Sequence, residues 1–169
     1  MIEKDKEKIL VFDLSTTGLR PLNDRILGIT CKSLDEEKIF SSENEQELLE
    51  RFWNYVEKNG FNKLVGYCIH SFDIPMLNIR SLKYCITIPP VIKESIDLRK
   101  VLFNGMNQHG RLIEFQELLG IRFPQSHFQK RDMFLMWTNP DIYDLREYLL
   151  RDVKITWNLL MQARSAGIL

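Results

Sequence analysis

The apolar positions in the first forty or so residues fall in short dense runs, without the spacing of a helical stripe. Residues 8 to 14, KILVFDL, break into the polar turn STTGLRPLNDR, the pattern of a central strand buried on both faces. ILGITCKS and EEKIF then read as two more strands joined by a tight acidic turn, completing a three-strand meander. The period changes in SSENEQELLERFWNYVEKNG. Here Leu48, Leu49, Phe52, Tyr55 and Val56 recur at helical spacing, Ser and Asn are available as N-caps, and Lys58, Asn59 and Gly60 close the segment. KLVGY is a fourth strand, and SFDIPMLNIRSL starts a helix in which Pro75 is tolerated within the first turn.

Further along, CITIPPVIKESIDLRKVLF predicts a fifth strand ending near Ile96 and a helix from Asp97, and GRLIEFQELLGI a short helix stopped by Gly120. Residues 121–140 mix aromatic, basic and proline residues without period and read as a loop with at most a turn of helix. One long closing helix follows from Asp141 to Gly167, with Ile142, Leu145, Leu149, Thr156, Leu160 and Ala163 along one stripe. A fourth strand that arrives through a helical crossover demands a mixed central sheet flanked by helices, an α/β fold.

Composition bounds this picture. A chain of 169 residues with 44% hydrophobic composition suits a single domain, 1–169, with a sizeable core. Its 23 basic and 23 acidic side chains cancel, which argues against a protein that coats nucleic acid by charge alone, though an acidic metal site would offset a local basic groove. Cys31, Cys68 and Cys85 form no Cys-x-x-Cys pair, so neither a disulfide framework nor a zinc knuckle is suggested. The start MIEKDKEKIL is charged where a signal peptide needs an apolar core, and no apolar run approaches membrane-spanning length. The expectation is a soluble, cytoplasmic protein.

Three aspartates stand out by position. Asp13 ends the first strand, Asp73 lies at the turn between the fourth strand and its helix, and Asp152 interrupts the apolar stripe of the last helix. An acid on such a stripe is costly to bury unless it is paired or bound to a cation. Tyr148, four residues earlier, shares the helix face of Asp152. Carboxylates at the ends of different elements can converge on one cleft, where they repel one another until hard cations arrive.

VFDLSTTGL, LVGYCIHSFDIPML and YLLRD resemble, in order, the three sequence motifs of the DEDD (DnaQ-like) exonucleases, and specifically the proofreading domain of family B DNA polymerases, over about residues 8 to 160. In the second motif Gly66, Tyr67, Phe72, Asp73, Pro75 and Leu77 all fall where that pattern wants them, and NEQELLERFW resembles the intervening helix. Tyr148 matches the tyrosine branch; the histidine branch carries its histidine five residues before the last aspartate, where Glu147 stands.

The resemblance implies an RNase H-like (ribonuclease H-like) fold and 3′ to 5′ hydrolysis at single-stranded DNA or RNA ends with two divalent metal ions, Mg2+ or Mn2+. It assigns Asp13 to both metals, Asp152 to the one that activates water, Asp73 to the second mainly through water, and Tyr148 to orienting the attacking water. Ser15, Thr16, Thr17, Gly18 and Leu19 of the first motif, with His70 and Phe72 of the second, are the corresponding substrate-binding candidates. A DNA-processing partner such as a helicase or polymerase fits the same picture, as does a role in DNA repair.

Two departures matter. Ser15 replaces a glutamate that in the family helps to hold the water-activating metal, and Cys68 replaces a usual asparagine. The site then has at most three carboxylates facing two dications, and metal affinity should fall, although a hydroxyl can ligate magnesium. An acid from elsewhere, Asp24 in the loop or Asp97 before its helix, could swing in to stand for it. The rival reading is a catalytically inactive exonuclease-like module that binds nucleic acid or docks on a partner. Plainer roles also stand for single residues: Ser15 as a turn residue, Tyr148 as a core aromatic satisfying Asp152, Cys68 as a small hydrophobe, Asp73 as an N-cap, His70 as an ordinary hydrogen-bonded histidine. Lys130 and Arg131, with His127 and Phe128 beside them, form either a phosphate grip or a solvated loop.

Overall fold

A computed structural model describes residues 7–92, 94–104, 106, 110–123, 128, 139 and 143–169. β1 (Ile9–Thr16), β2 (Ile26–Lys32) and β3 (Glu37–Ser41) form the expected antiparallel meander. α1 (Glu45–Asn59) carries the chain back so that β4 (Lys63–Gly66) lies parallel to β1, and α2 (Asp73–Lys83) does the same for β5 (Glu94–Asp97) beside β4. The sheet order is β3-β2-β1-β4-β5, so β1 is central. α3 (Leu98–Phe103), α4 (Leu112–Leu118) and α5 (Tyr143–Ser165) complete the described elements.

The ends of α1 are set by the residues the sequence pointed to. Asn44 caps its start, accepting from the Gln46 and Glu47 amides at 3.0 and 3.2 Å. Gly60 ends it in the left-handed conformation, φ 67°, with its amide on the last-turn carbonyls. The closing helix runs as expected to Ser165, with Gly167 at φ 70° behind it. Its expected start at Asp141, together with Ile142 and most of the 121–140 loop including Lys130, Arg131 and His127, lies outside the described residues.

Alternation along β1 divides the interior into two cores. Leu10, Phe12 and Leu14 join Ile29, Phe40, Leu48, Phe52, Leu64, Met76 and Leu77 under α1 and α2. Val11 points the other way, into a cluster with Val65, Ile96, Leu98, Leu150, Val153 and Leu160 under α5. Trp53 donates from its indole nitrogen to Ser81 Oγ at 2.9 Å, fastening α1 to α2.

A buried ion pair fastens the same two helices more strongly. Arg80 Nε and Nη2 meet Glu45 Oε1 and Oε2 at 2.9 and 2.5 Å, with both side chains under 5% exposed. Glu45 also accepts from the Ile26 amide at 2.6 Å and the Tyr84 hydroxyl at 2.9 Å, and Arg80 reaches the Pro21 carbonyl at 3.2 Å. Every strong polar group of this network has a partner, which is the condition under which a buried pair is tolerated. Among the described residues no helix is long and apolar enough to cross a membrane.

Removing one partner strands the other. Glu45→Ala leaves the Arg80 guanidinium and the Ile26 amide without their carboxylate, and is expected to lower the unfolding free energy by about 3–5 kcal/mol. Urea denaturation of the two proteins measures the difference.

Candidate active site

The candidate site is built where β1 outruns β4. The parallel ladder pairs Ile9, Leu10 and Val11 of β1 with Lys63, Leu64 and Val65, and β4 stops at Gly66 while β1 continues to Thr16. Beyond that point β1 keeps β2 on one side but loses its neighbour on the other, and a buried amide without a partner is costly. Asp73 fills the place: its Oδ1 accepts from the Leu14 amide at 3.2 Å. An acid 59 positions further along the chain is thereby fixed beside the residue that follows Asp13.

Asp13 lies on the opposite face of β1 from Phe12 and Leu14, the face that Val11 presents to α5. It is half-buried, and the Thr30 hydroxyl donates to its main-chain carbonyl at 3.4 Å. Leu150 and Val153 of α5 pack with Val11 and Val65, so the stretch of helix carrying Asp152 lies over the same strands. The Asp152 carboxylate takes Arg151 Nε at 3.2 Å, an ion pair exposed enough to hold it only weakly. Tyr148 is half-buried; its ring stands 5.2 Å from the Arg151 guanidinium and 6.2 Å from the Phe128 ring, and no hydrogen bond joins its hydroxyl to Asp152. Among the described residues no three His, Cys, Asp or Glu side chains are grouped tightly enough to hold a metal ion as they lie.

Burial gives Asp73 an unusual proton affinity. Only 4% exposed, its carboxyl is pushed up to about 7, chiefly by desolvation and further by the charge of Asp97, against the pull of the Leu14 amide and its own. Asp97, 2% exposed, accepts from the amides of Cys68 at 3.0 Å, His70 at 3.1 Å and Arg99 at 3.1 Å.

The second motif is shaped by close packing. A Cβ on Gly66 would lie 2.2 Å from Ile69 Cγ2 and 3.1 Å from the Phe12 carbonyl oxygen, so only glycine fits. Cys68 does not fill core space, as its apolar character suggests; it is half-buried with φ 67°, and its Sγ meets Arg99 Nη1 at 3.3 Å. Asparagine tolerates that left-handed conformation better than most residues, so the backbone here does not select for cysteine. His70 Nε2 hydrogen-bonds Ser95 Oγ at 2.9 Å, and half-buried Phe72 packs against the α1–α2 core. Asp73 is the first residue of α2, not its cap; Phe72 holds the cap position and makes no side-chain cap bond.

The first motif ends in an irregularity. The β1–β2 register shifts between Ser15 and Thr16, leaving Leu27 of β2 unpaired, and bulges of this kind often lie beside functional sites. Ser15 is half-buried there. Thr16 donates to the Gly18 carbonyl at 2.7 Å, and Thr17 Oγ1 donates to Asp24 Oδ1 at 3.3 Å while accepting the Arg25 amide at 3.0 Å, so both hydroxyls build the turn. Asp24 also takes the Arg20 amide at 2.8 Å and presses on Gly18, where a Cβ would come within 2.6 Å of it. Leu19 projects outward, 77% exposed. Asp24 and Asp97, the two acids weighed as stand-ins at Ser15, are thus both committed to backbone amides.

The family described as "Predicted 3'-5' exonuclease related to the exonuclease domain of PolB" matches residues 23–121, which include the β4–α2 loop, Asp73 and Asp97. The chain belongs to this family. An uncharacterized protein, MJ0365, of Methanocaldococcus jannaschii is 30% identical to this PolB-exonuclease-like chain over 171 residues, covering 94% of the chain and 97% of that protein. The family B DNA polymerase of the archaeon Pyrobaculum calidifontis superimposes with a TM-score of 0.77 over 96% of the chain at 19% identity. The chain spans 25% of that polymerase's length, and the likeness bears out the RNase H-like α/β fold.

Because the folded state holds a proton on Asp73 that the unfolded chain releases near pH 4, stability is expected to fall as pH rises from about 4 to 7 in the presence of chelator. Asp73→Asn keeps an oxygen for the Leu14 amide and carries no charge. Between pH 4.5 and 7.5 it should gain at least ~1.4 kcal/mol relative to the parent, read by denaturant titration at the two pH values.

Proposed function

We propose that this chain is a metal-dependent 3′ to 5′ exonuclease acting on single-stranded DNA or RNA ends. The observation that carries the reading is the Leu14–Asp73 hydrogen bond, which brings an acid of the second motif against the strand end bearing Asp13. Asp13, Asp73 and Asp152 would be the ligands of Mg2+ or Mn2+. Carboxylate oxygens are the donors such hard cations take, and a cation would replace the proton that burial forces on Asp73. When bound, two such ions supply charge stabilisation to both the attacking and the leaving oxygen of an in-line displacement at phosphorus.

The rest falls to the protein. Asp152, its side chain 43% exposed and only loosely tied to Arg151, would be the acid to swing toward Asp13. Tyr148, one turn away on α5, would orient water, and its neighbour Arg151 would meet phosphate. Exposed Leu19 offers a face for an unstacked base, while Ser15 lies beside the strand end where the substrate backbone would pass.

A second reading, an inactive nucleic-acid-binding or docking module, is favoured by one specific observation: neither Asp24 nor Asp97 is available to replace the glutamate lost at Ser15. Digestion of a 5′-labelled oligonucleotide with Mg2+ or Mn2+ separates the two. Laddering that Asp13→Ala abolishes supports the enzyme, and identical inert lanes support the module. Ser15→Glu restores an anionic ligand and is expected to tighten Mn2+ binding, measured by calorimetry, on the order of tenfold, with faster laddering. A variant no better than the parent would show a site organised around the serine.

A further inference from the structure

Asp97 accepts three hydrogen bonds from main-chain amides, and only one of them belongs to the helix it precedes. Capping α3, a helix of six residues, takes a single acceptor, which the Arg99 amide finds at 3.1 Å on Oδ1. The other two bonds run to the loop between β4 and α2. Oδ1 also takes the Cys68 amide and Oδ2 the His70 amide. Three donors around one buried side chain call for two oxygens that both accept, and a carboxylate supplies them.

The loop it grips is short and leads straight to Asp73. Cys68 turns the chain at φ 67°, and its carbonyl receives the Ser71 amide at 3.1 Å and the Ser71 hydroxyl at 2.8 Å. The Ile69 carbonyl receives the Ile74 amide at 2.8 Å, which fixes the first turn of α2 on the loop. β5 holds the loop at a second point through Ser95 Oγ and His70 Nε2. Hydrogen bonds therefore tie Asp97 to Cys68 and His70, and Cys68 and Ile69 to Ser71 and Ile74 on either side of Asp73, which in turn holds the Leu14 amide.

We propose that Asp97 is a positioning residue: by clamping the Cys68 and His70 amides it sets where the Asp73 carboxylate stands beside β1, and so prepares Asp73 for the metal. The metal part of this inference rests on the exonuclease reading; the positioning part does not.

Two substitutions separate clamp from cap. Asp97→Ser keeps a hydroxyl able to cap α3 but too short to reach Cys68 and His70. Asp97→Asn keeps Oδ1 and turns an NH2 toward the His70 amide. Hydrogen exchange of the Cys68, His70 and Leu14 amides is read in all three proteins, with Mn2+ affinity by calorimetry and kcat and KM on a labelled single-stranded oligonucleotide. In the serine variant, exchange at Leu14 should quicken together with that at Cys68 and His70. Mn2+ affinity should fall about 10- to 100-fold, and kcat should fall with KM unchanged, the asparagine variant lying between. Protection at Leu14 and Mn2+ affinity both unchanged, with Cys68 and His70 released, would overturn the proposal and leave Asp97 a local cap. A serine variant that fails to fold hands the decision to the asparagine variant, in which unchanged Leu14 protection again overturns it. A parent that neither binds Mn2+ nor degrades the oligonucleotide defeats the exonuclease reading, while Leu14 exchange still decides the positioning.

Discussion

The hydrogen bond from the Leu14 amide to the Asp73 carboxylate is the constraint on which the candidate site depends. It exists because the central strand is longer than its parallel neighbour: β4 ends at Gly66, and the polar backbone of β1 beyond that point needs an acceptor from elsewhere. The loop that follows β4 is too short to continue the ladder and long enough to bring the first residue of α2 alongside. A covering helix on the opposite face then carries Asp152 over the same strands. Strand length, loop length and crossover direction thus fix which acids become neighbours, before any of them does chemistry.

The molecule treats its buried acids in two contrasting ways. Glu45 is neutralised on the spot by Arg80, with the Tyr84 hydroxyl and the Ile26 amide taking up its remaining capacity, and it serves only to join α1, α2 and β2. Asp73 and Asp97 are held by amides, which satisfy lone pairs but supply no counter-charge. The cost appears as the raised proton affinity of Asp73. Burying an acid without a counter-charge at this expense makes little sense for stability, and such perturbed groups tend to cluster at functional sites.

Much of the fold was legible in the chain because local signals and tertiary needs agree. The meander, Asn44 and Gly60 at the ends of α1, and the long last helix all follow from period and capping. β5 was harder, since ESID is too short and too polar to show alternation, and its identity comes from lying beside β4. Among the site residues, position along the chain singled out Asp13, Asp73 and Asp152, but not how each is held. The Leu14 amide that fixes Asp73 is a backbone group and leaves no sequence signature. Cys68 misled for a related reason: its small apolar side chain suggests filler, whereas its place is set by a left-handed backbone that composition does not reveal. Asp97 gave a partial signal as an acid at the start of a helix, which revealed neither its cap bond nor its two bonds to the loop.

Gly66 carries a consequence for how relatives of this chain should be read. It is required because Ile69 and the Phe12 carbonyl occupy the volume a methyl group would need, so the constraint is one of architecture. A descendant that had shed all its carboxylates would still be obliged to keep this glycine in order to fold. Shared Gly66 therefore testifies to ancestry and shape, and persistence of chemistry must be judged from the acids alone.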